Sequence, residues 1–150
     1  MGKVIQFPLK SEKRVPTSGR NLQKRLSILI VEDHDSLRDI VSVYLMRQGY
    51  HIHTAGNGQA ALDILATEEI QLVLLDLMLP WVDGFQVLHR LRQKRGDGFP
   101  YVIVVSALTA EEDRKKIREL GGDEYLPKPF HLPHLLERIE ALESRLRRGK

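Results

Sequence analysis

The stretch GGDEYLPKPF, Gly121 to Phe130, supports two incompatible readings. Its first half, two glycines and two acids before an aromatic, has the letters of a self-contained turn motif. Its second half places Lys128 between a short apolar run and Pro129, as a phosphate-handling loop would. The flanking residues decide. A segment of helical spacing, AEEDRKKIREL, ends at Leu120, and DEYLPK, 123–128, reads as a strand. Gly121 and Gly122 therefore stand at a helix end, where a left-handed residue is wanted, and the stretch joins a helix to the strand that follows it.

The same alternation runs back along the chain. LSILIV (26–31), YHIHTA (50–55), QLVLLD (71–76) and YVIVVS (101–106) are short, mostly apolar runs rich in β-branched residues. Helices are expected at about Ser36 to Gln48, Gly58 to Thr67, Gly84 to Lys94, Ala110 to Leu120 and Leu132 to Arg147, with Asp35, Asn57 and Thr109 as N-caps. Strands that are apolar throughout and joined by helical crossovers belong in a parallel sheet covered on both faces. The fold class is α/β, a doubly wound sandwich.

In that architecture the polar residues fall at telling places. Glu32 and Asp33 follow the first strand, Asp76 ends the third, Ser106 the fourth and Lys128 the fifth. The C-terminal ends of parallel strands share one edge, and ligands of such sheets bind in the crevice there. Three carboxylates converging at that edge repel one another unless something positive compensates, and oxygen donors without cysteine favour a hard cation such as Mg2+. Taken singly, a strand-end Asp is usually a cap or turn residue, and Lys128 would be a surface lysine. Their common position is the signal.

Composition narrows the choices further. A 150-residue chain that is 42% hydrophobic can bury one substantial core and is too short for two ordinary domains. The absence of cysteine excludes disulfides and thiolate metal sites. MGKVIQFPLK lacks the apolar core of a signal peptide, and no run approaches the ~20 apolar residues of a membrane span, so a cytoplasmic protein is expected. Charge is unevenly placed: residues 1–25 carry +6, residues 26–144 carry −7 and residues 145–150 carry +4. An acidic body does not suit direct nucleic-acid binding, whose phosphate-facing surface must be positive. Residues 1–25, with Pro8, Pro16 and Gly19, read as a mobile basic extension; 26–147 form the domain and 148–150 a basic tail.

LIVEDHDSLR, LVLLDLMLPWVDGF and VIVVSALTAEEDRKKIRELGGDEYLPKPF, in this order, resemble the receiver domain of bacterial two-component response regulators over about residues 26 to 146. The resemblance implies a flavodoxin-like sheet of order 2-1-3-4-5, which sets the first and third strands side by side and lets Glu32, Asp33 and Asp76 meet. It also separates GGDEY from the GGDEF of cyclic-dinucleotide synthases. There the letters form the turn of a hairpin inside a larger domain of its own, whereas here they link a helix to a strand.

What the resemblance implies for chemistry is specific. Asp76 is the phosphoacceptor, taking a phosphoryl group from a sensor histidine kinase or a phosphotransfer protein. Asp33, Asp76 and the backbone carbonyl of Met78 ligate Mg2+, with Glu32 acting mainly through water. Lys128 and Ser106 contact the phosphoryl oxygens, and Lys128–Pro129 is a cis bond. Tyr125 is the aromatic that turns inward with Ser106, so that the face of the fourth helix, fifth strand and fifth helix signals to a downstream protein or output domain. Tyr125 is equally well read as a partly buried sheet residue.

Some features depart from the family or leave alternatives. Trp81 and Val82 stand where Gly and Met are common, and Met78 and Leu108 are apolar two residues beyond Asp76 and Ser106, which implies slow loss of phosphate. Whether the chain is a stand-alone regulator or a receiver cut from a longer one stays open. Two other classes compete: a phosphorylation-independent receiver-like binding module, and a small Mg2+-dependent phosphatase, which lacks its DxD pattern because LML follows Asp76. Finally, Leu132, Leu135, Ile139, Leu142 and Leu146 have the spacing of a coiled-coil seam. The heptads are too few to favour a seam over packing on the domain itself. The turns past Leu142 are nevertheless expected to overrun the sheet, leaving Leu146 for a homodimer through that face.

Overall fold

The computed structural model describes residues 5–6, 25–95, 100–107 and 110–148. Its strands are β1 (Ile5–Gln6), β2 (Ser27–Val31), β3 (His51–Ala55), β4 (Leu72–Leu75), β5 (Tyr101–Ser106) and β6 (Glu124–Pro127). Between and after them lie α1 (Asp35–Arg47), α2 (Gly58–Thr67), α3 (Gly84–Arg95), α4 (Glu111–Glu119) and α5 (Leu132–Arg148). One sheet of order β1-β6-β5-β4-β2-β3 results. Its five parallel members alone give 2-1-3-4-5, the order the resemblance implies.

Apolar residues on both sides of each central strand make this sheet an interior layer. Leu29, Val31, Val73, Leu75, Val102 and Val104 face a core completed by Ala61 and Leu65 of α2, Val87, Leu88 and Leu91 of α3, and Ile117 of α4. Ile28, Ile30, Leu72, Leu74, Ile103 and Val105 face the other, completed by α1 and α5. Val31 lies in register with both Ala55 and Leu75, so β2 and β4 end side by side. The Asp76 amide donates to the Val31 carbonyl at 3.1 Å, which extends that pairing to the residue that matters.

The stretch from Gly121 is absorbed into structure. Gly121 has φ +105°, the left-handed conformation that ends α4, and the Gly122 amide donates to the Ile117 carbonyl at 2.9 Å. The buried Asp123 accepts from the Val102 amide at 2.8 Å and from Arg92 at 3.1 Å. Glu124, also buried, accepts from the Tyr101 hydroxyl at 2.7 Å and from Arg138 at 3.1 Å. These two acids clamp β6 to its neighbours rather than carrying chemistry of their own.

Helix starts agree in part. Asn57 caps α2, its Oδ1 accepting from the Ala60 amide at 2.8 Å. At α1, however, the cap is His34 and not Asp35: a neutral imidazole has one acceptor nitrogen, and Nδ1 takes the Leu37 amide at 3.3 Å. Asp35 becomes the first helical residue and pairs with Arg38 at 2.7 Å. Ala110, without a side-chain cap bond, precedes α4; Leu108 and Thr109 lie outside the described residues.

Two expectations change. The sheet gains β1, antiparallel to β6 with Ile5 opposite Tyr125 and Gln6 opposite Glu124; the rest of the extension through Lys24 is outside the described residues. Leu146 does not overrun the sheet. It is buried in the α1/α5 core, in one cluster with Leu135, Ile139 and Leu142 of its own helix and Val41 and Leu45 of α1. The seam-like spacing is a core stripe, and Leu146 supplies no surface for a dimer. Leu146→Ala should therefore lower unfolding stability by about 2 kcal/mol in urea titration, as for a truncated core leucine, while leaving the sedimentation coefficient of the folded protein unchanged.

Candidate functional site

The adjacency of β2 and β4 brings their C-terminal residues together, and β6 supplies the counter-charge from two strands away. Lys128 follows β6, its amide donating to the Ser106 carbonyl at 2.9 Å, and the Lys128–Pro129 bond is cis. Its ammonium donates to Glu32 Oε1 at 2.8 Å and to Asp76 Oδ2 at 3.1 Å. Glu32 Oε2 accepts from the His34 amide and Asp76 Oδ1 from the Met78 amide, each at 3.1 Å. One carboxylate oxygen from each of Glu32, Asp33 and Asp76 lies within 4.8 Å of the others, Asp33 being exposed and the other two buried.

Both acids are thus aimed by backbone as well as by lysine. The sequence does not announce the His34 and Met78 amides, since any residue but proline has one; only the turn geometry selects them. Gly84 could be anticipated better. A Cβ there would collide with the Asp76 carbonyl and with Leu77, so glycine lets α3 begin directly against the Asp76 loop. Within that loop Trp81 adopts φ +63° and is 87% exposed, and Met78 is 59% exposed, so two large apolar side chains stand in solvent on the loop that leaves Asp76. Both positions were noted in the sequence as departures from the family, Trp81 for standing where Gly is common and Met78 for being apolar.

Three carboxylates face one ammonium, so negative charge is in excess. Burial pushes the Asp76 carboxyl above its ordinary pKa, outweighing the Met78 amide and the Lys128 charge, while Glu32 raises it further. For Lys128, burial alone would lower the pKa. The hydrogen bond to Glu32 and the charges and bonds of both acids overcome it and hold the ammonium above its ordinary value. An oxygen-rich set with surplus negative charge, one member open to solvent, suits a small hard cation.

Ser106 and Tyr125 form a second group joined to the first through Lys128. Ser106 is fully buried at the end of β5, and the Tyr125 hydroxyl, also buried, donates to the Ser106 carbonyl at 3.2 Å. Tyr125 therefore points inward in this structure. Burial, foremost, raises its pKa.

Fold and site together define a doubly wound domain with an acidic pocket at the C-terminal ends of its parallel strands. Residues 28–140 match the response regulator receiver domain family, and the chain belongs to it. Among characterised proteins it is 40% identical over 120 residues to the transcriptional activator protein PfeR of Pseudomonas aeruginosa, covering 80% of this chain and 38% of PfeR. It is 38% identical over 118 residues to the transcriptional regulatory protein SrrA of Staphylococcus aureus, covering 79% of this chain and 48% of SrrA. The chain thus spans less than half the length of either relative. Among solved structures, the CheY-like receiver domain protein from Methanospirillum hungatei superposes with TM-score 0.78 at 25% identity, covering 85% of this chain and all of that one. The response regulator TrrA from Thermotoga maritima, in complex with Mg2+ and BeF, gives 0.67 at 32% identity over 79% of this chain and 98% of that one. Among the described residues no helix is long and apolar enough to cross a membrane.

The pKa of Asp76 carries a sign. Because it is raised in the folded chain, ionising Asp76 opposes folding; the penalty is absent below the unfolded pKa and fully present above the folded one. In metal-free buffer Asp76→Asn should therefore stabilise the protein near pH 7, and the gain should shrink as pH falls into the ordinary carboxyl range. Thermal unfolding of both proteins from pH 7 to pH 4 checks this.

Proposed function

We propose that Asp76 accepts a phosphoryl group and that the loaded site sets the conformation of the α4, β6 and α5 face. The observation that carries this reading is the Lys128 ammonium held between Glu32 and Asp76 with Asp33 alongside. In a phosphoryl transfer the protein mainly positions groups and offsets charge. One oxygen of the Asp76 carboxylate attacks phosphorus, the N–P bond of a donor phosphohistidine breaks, and the imidazole departs with that electron pair, leaving an acyl phosphate on the protein. The Lys128 ammonium, no longer needed by an ionised Asp76, turns to a phosphoryl oxygen, and the Ser106 hydroxyl donates to another.

Asp33, Asp76 and the Met78 carbonyl would hold Mg2+, with Glu32 acting through water, and the ion supplies charge neutralisation to the phosphoryl oxygens. The excess of carboxylate over ammonium supports this fit. Ser106 and Tyr125 already share a hydrogen bond, so displacement of Ser106 toward phosphate is felt at Tyr125 and along β6. A sensor histidine kinase or a phosphotransfer protein is the donor, and the receiver of the signal is a downstream protein or an output domain; the longer relatives PfeR and SrrA are named as a transcriptional activator and a transcriptional regulatory protein. The domain acts as a switch and not as a turnover enzyme, and apolar Met78 beside Asp76 favours slow loss of phosphate.

Incubation with acetyl phosphate and Mg2+ tests the assignment by intact mass. One phosphoryl group should be gained and should persist beyond seconds after the donor is removed, and Asp76→Asn should gain none. Continued release of phosphate would indicate a phosphatase, no gain at all would indicate a binding module, and gain by Asp76→Asn would move the acceptor elsewhere.

A further inference from the structure

The strand β1 belongs to none of the chemistry above, yet it lies on the strand that carries Tyr125 and leads to Lys128. Without it β6 would be an edge strand, with a row of backbone N–H and C=O groups open to another chain. The two partners differ in how firmly they are held. β6 is fixed by parallel pairing to β5 and by the buried acids: Asp123 on Arg92 and the Val102 amide, Glu124 on Tyr101 and Arg138. β1 has two residues and two cross-strand partners, Tyr125 and Glu124. A pairing this short opens with little free energy, whereas the edge beneath it stays preorganised.

We infer that the β6 edge is a strand-accepting docking site, which this chain closes with its own N-terminal residues as an intramolecular strap. Charge favours the cis occupant, since residues 1–25 carry +6 and residues 26–144 carry −7. Length permits it. β1 stands four strands from β2, about 19 Å at ordinary strand spacing, and the 18 residues between Gln6 and Arg25 can reach about 60 Å when extended. Sequence favours it too, because the β-branched Ile5 suits an extended strand. While the strap is paired, an extended segment of a partner cannot add to β6 between α4 and α5. Once it opens, main-chain hydrogen bonds are available to any such segment. The inference rests on the pairing alone and not on the identity of the phosphoacceptor.

The test uses the full chain with Ile5→Pro and Gln6→Pro together, which removes both amides of the strap. Amide hydrogen exchange by NMR should show the β1-facing amides among Glu124, Tyr125 and Leu126 losing protection by about tenfold or more, while Ile30 and Leu74 in mid-sheet keep theirs. The peptide MGKVIQFPLK added in trans should restore that protection in the variant and bind the wild-type chain at least about tenfold more weakly, because there the edge is filled. A variant with glycine at both positions, which keeps the amides but weakens the strand, should fall between. Unchanged exchange at β6 would show that the strap does not close the edge. An opened edge that ignores the peptide, or equal peptide binding by both proteins, would overturn the docking site.

Discussion

The Lys128 ammonium, shared between Glu32 and Asp76, is the contact on which the site depends. Without a positive group between them, two carboxylates buried side by side at the end of a sheet would lose hydration and repel, offset only by the His34 and Met78 amides. The contact in turn constrains the fold. β2 and β4 must be neighbours in register so that Glu32 and Asp76 emerge together, and β6 must end where the lysine can reach across. Gly84 must be small for α3 to start against Asp76. A single lysine nevertheless leaves the pocket negative. That surplus is what a cation and a phosphoryl group, arriving together, would redistribute.

Other buried acids in the same molecule show the contrast. Asp123 and Glu124 each sit against an arginine and a second donor, and Glu143 accepts from the Tyr50 hydroxyl at 2.9 Å with Arg25 at 3.6 Å and Arg147 at 3.8 Å. The tyrosines pay part of that pairing in their own acidity: burial foremost, and then Glu143 or Glu124, raises Tyr50 and Tyr101 well above the ordinary phenol range. Asp123 and Glu124 are matched by donors, and Glu143, whose Oε2 has no hydrogen-bond partner, is flanked by two arginines; all three hold elements together. Glu32, Asp33 and Asp76 outnumber their ammonium partner, and that imbalance separates a site from a clamp.

The parallel sheet and the placing of Glu32, Asp33, Asp76 and Lys128 at its C-terminal edge were legible because they follow from apolar periodicity and from where polar residues interrupt it; the strand order that makes the three acids neighbours came only from the resemblance to the receiver family. Asn57 as a cap was legible for the same local reason. His34 as a cap was not, since aspartate is the strongly preferred cap residue and pointed to Asp35, which instead pairs with Arg38 from the first helical position. Leu146 was misplaced because a heptad-like stripe has the same spacing whether it faces a partner helix or the chain's own core; only its burial in the folded chain separates them. β1 was missed in a segment dominated by charge, where two residues of strand leave almost no periodic signal. Met78 and His34 contribute backbone amides, which side-chain identity does not reveal.

The division of labour at the site, carboxylates for the cation and lysine for balance, is tested most directly by calorimetric titration of Mg2+ into Lys128→Ala and the wild-type chain. If the acids hold the ion, removing the competing ammonium leaves Mg2+ affinity equal or tighter, because the pocket becomes more negative. Loss of Mg2+ binding in Lys128→Ala, with the variant still folded, would contradict the account, since the lysine would then be organising the site for the cation rather than standing in for it.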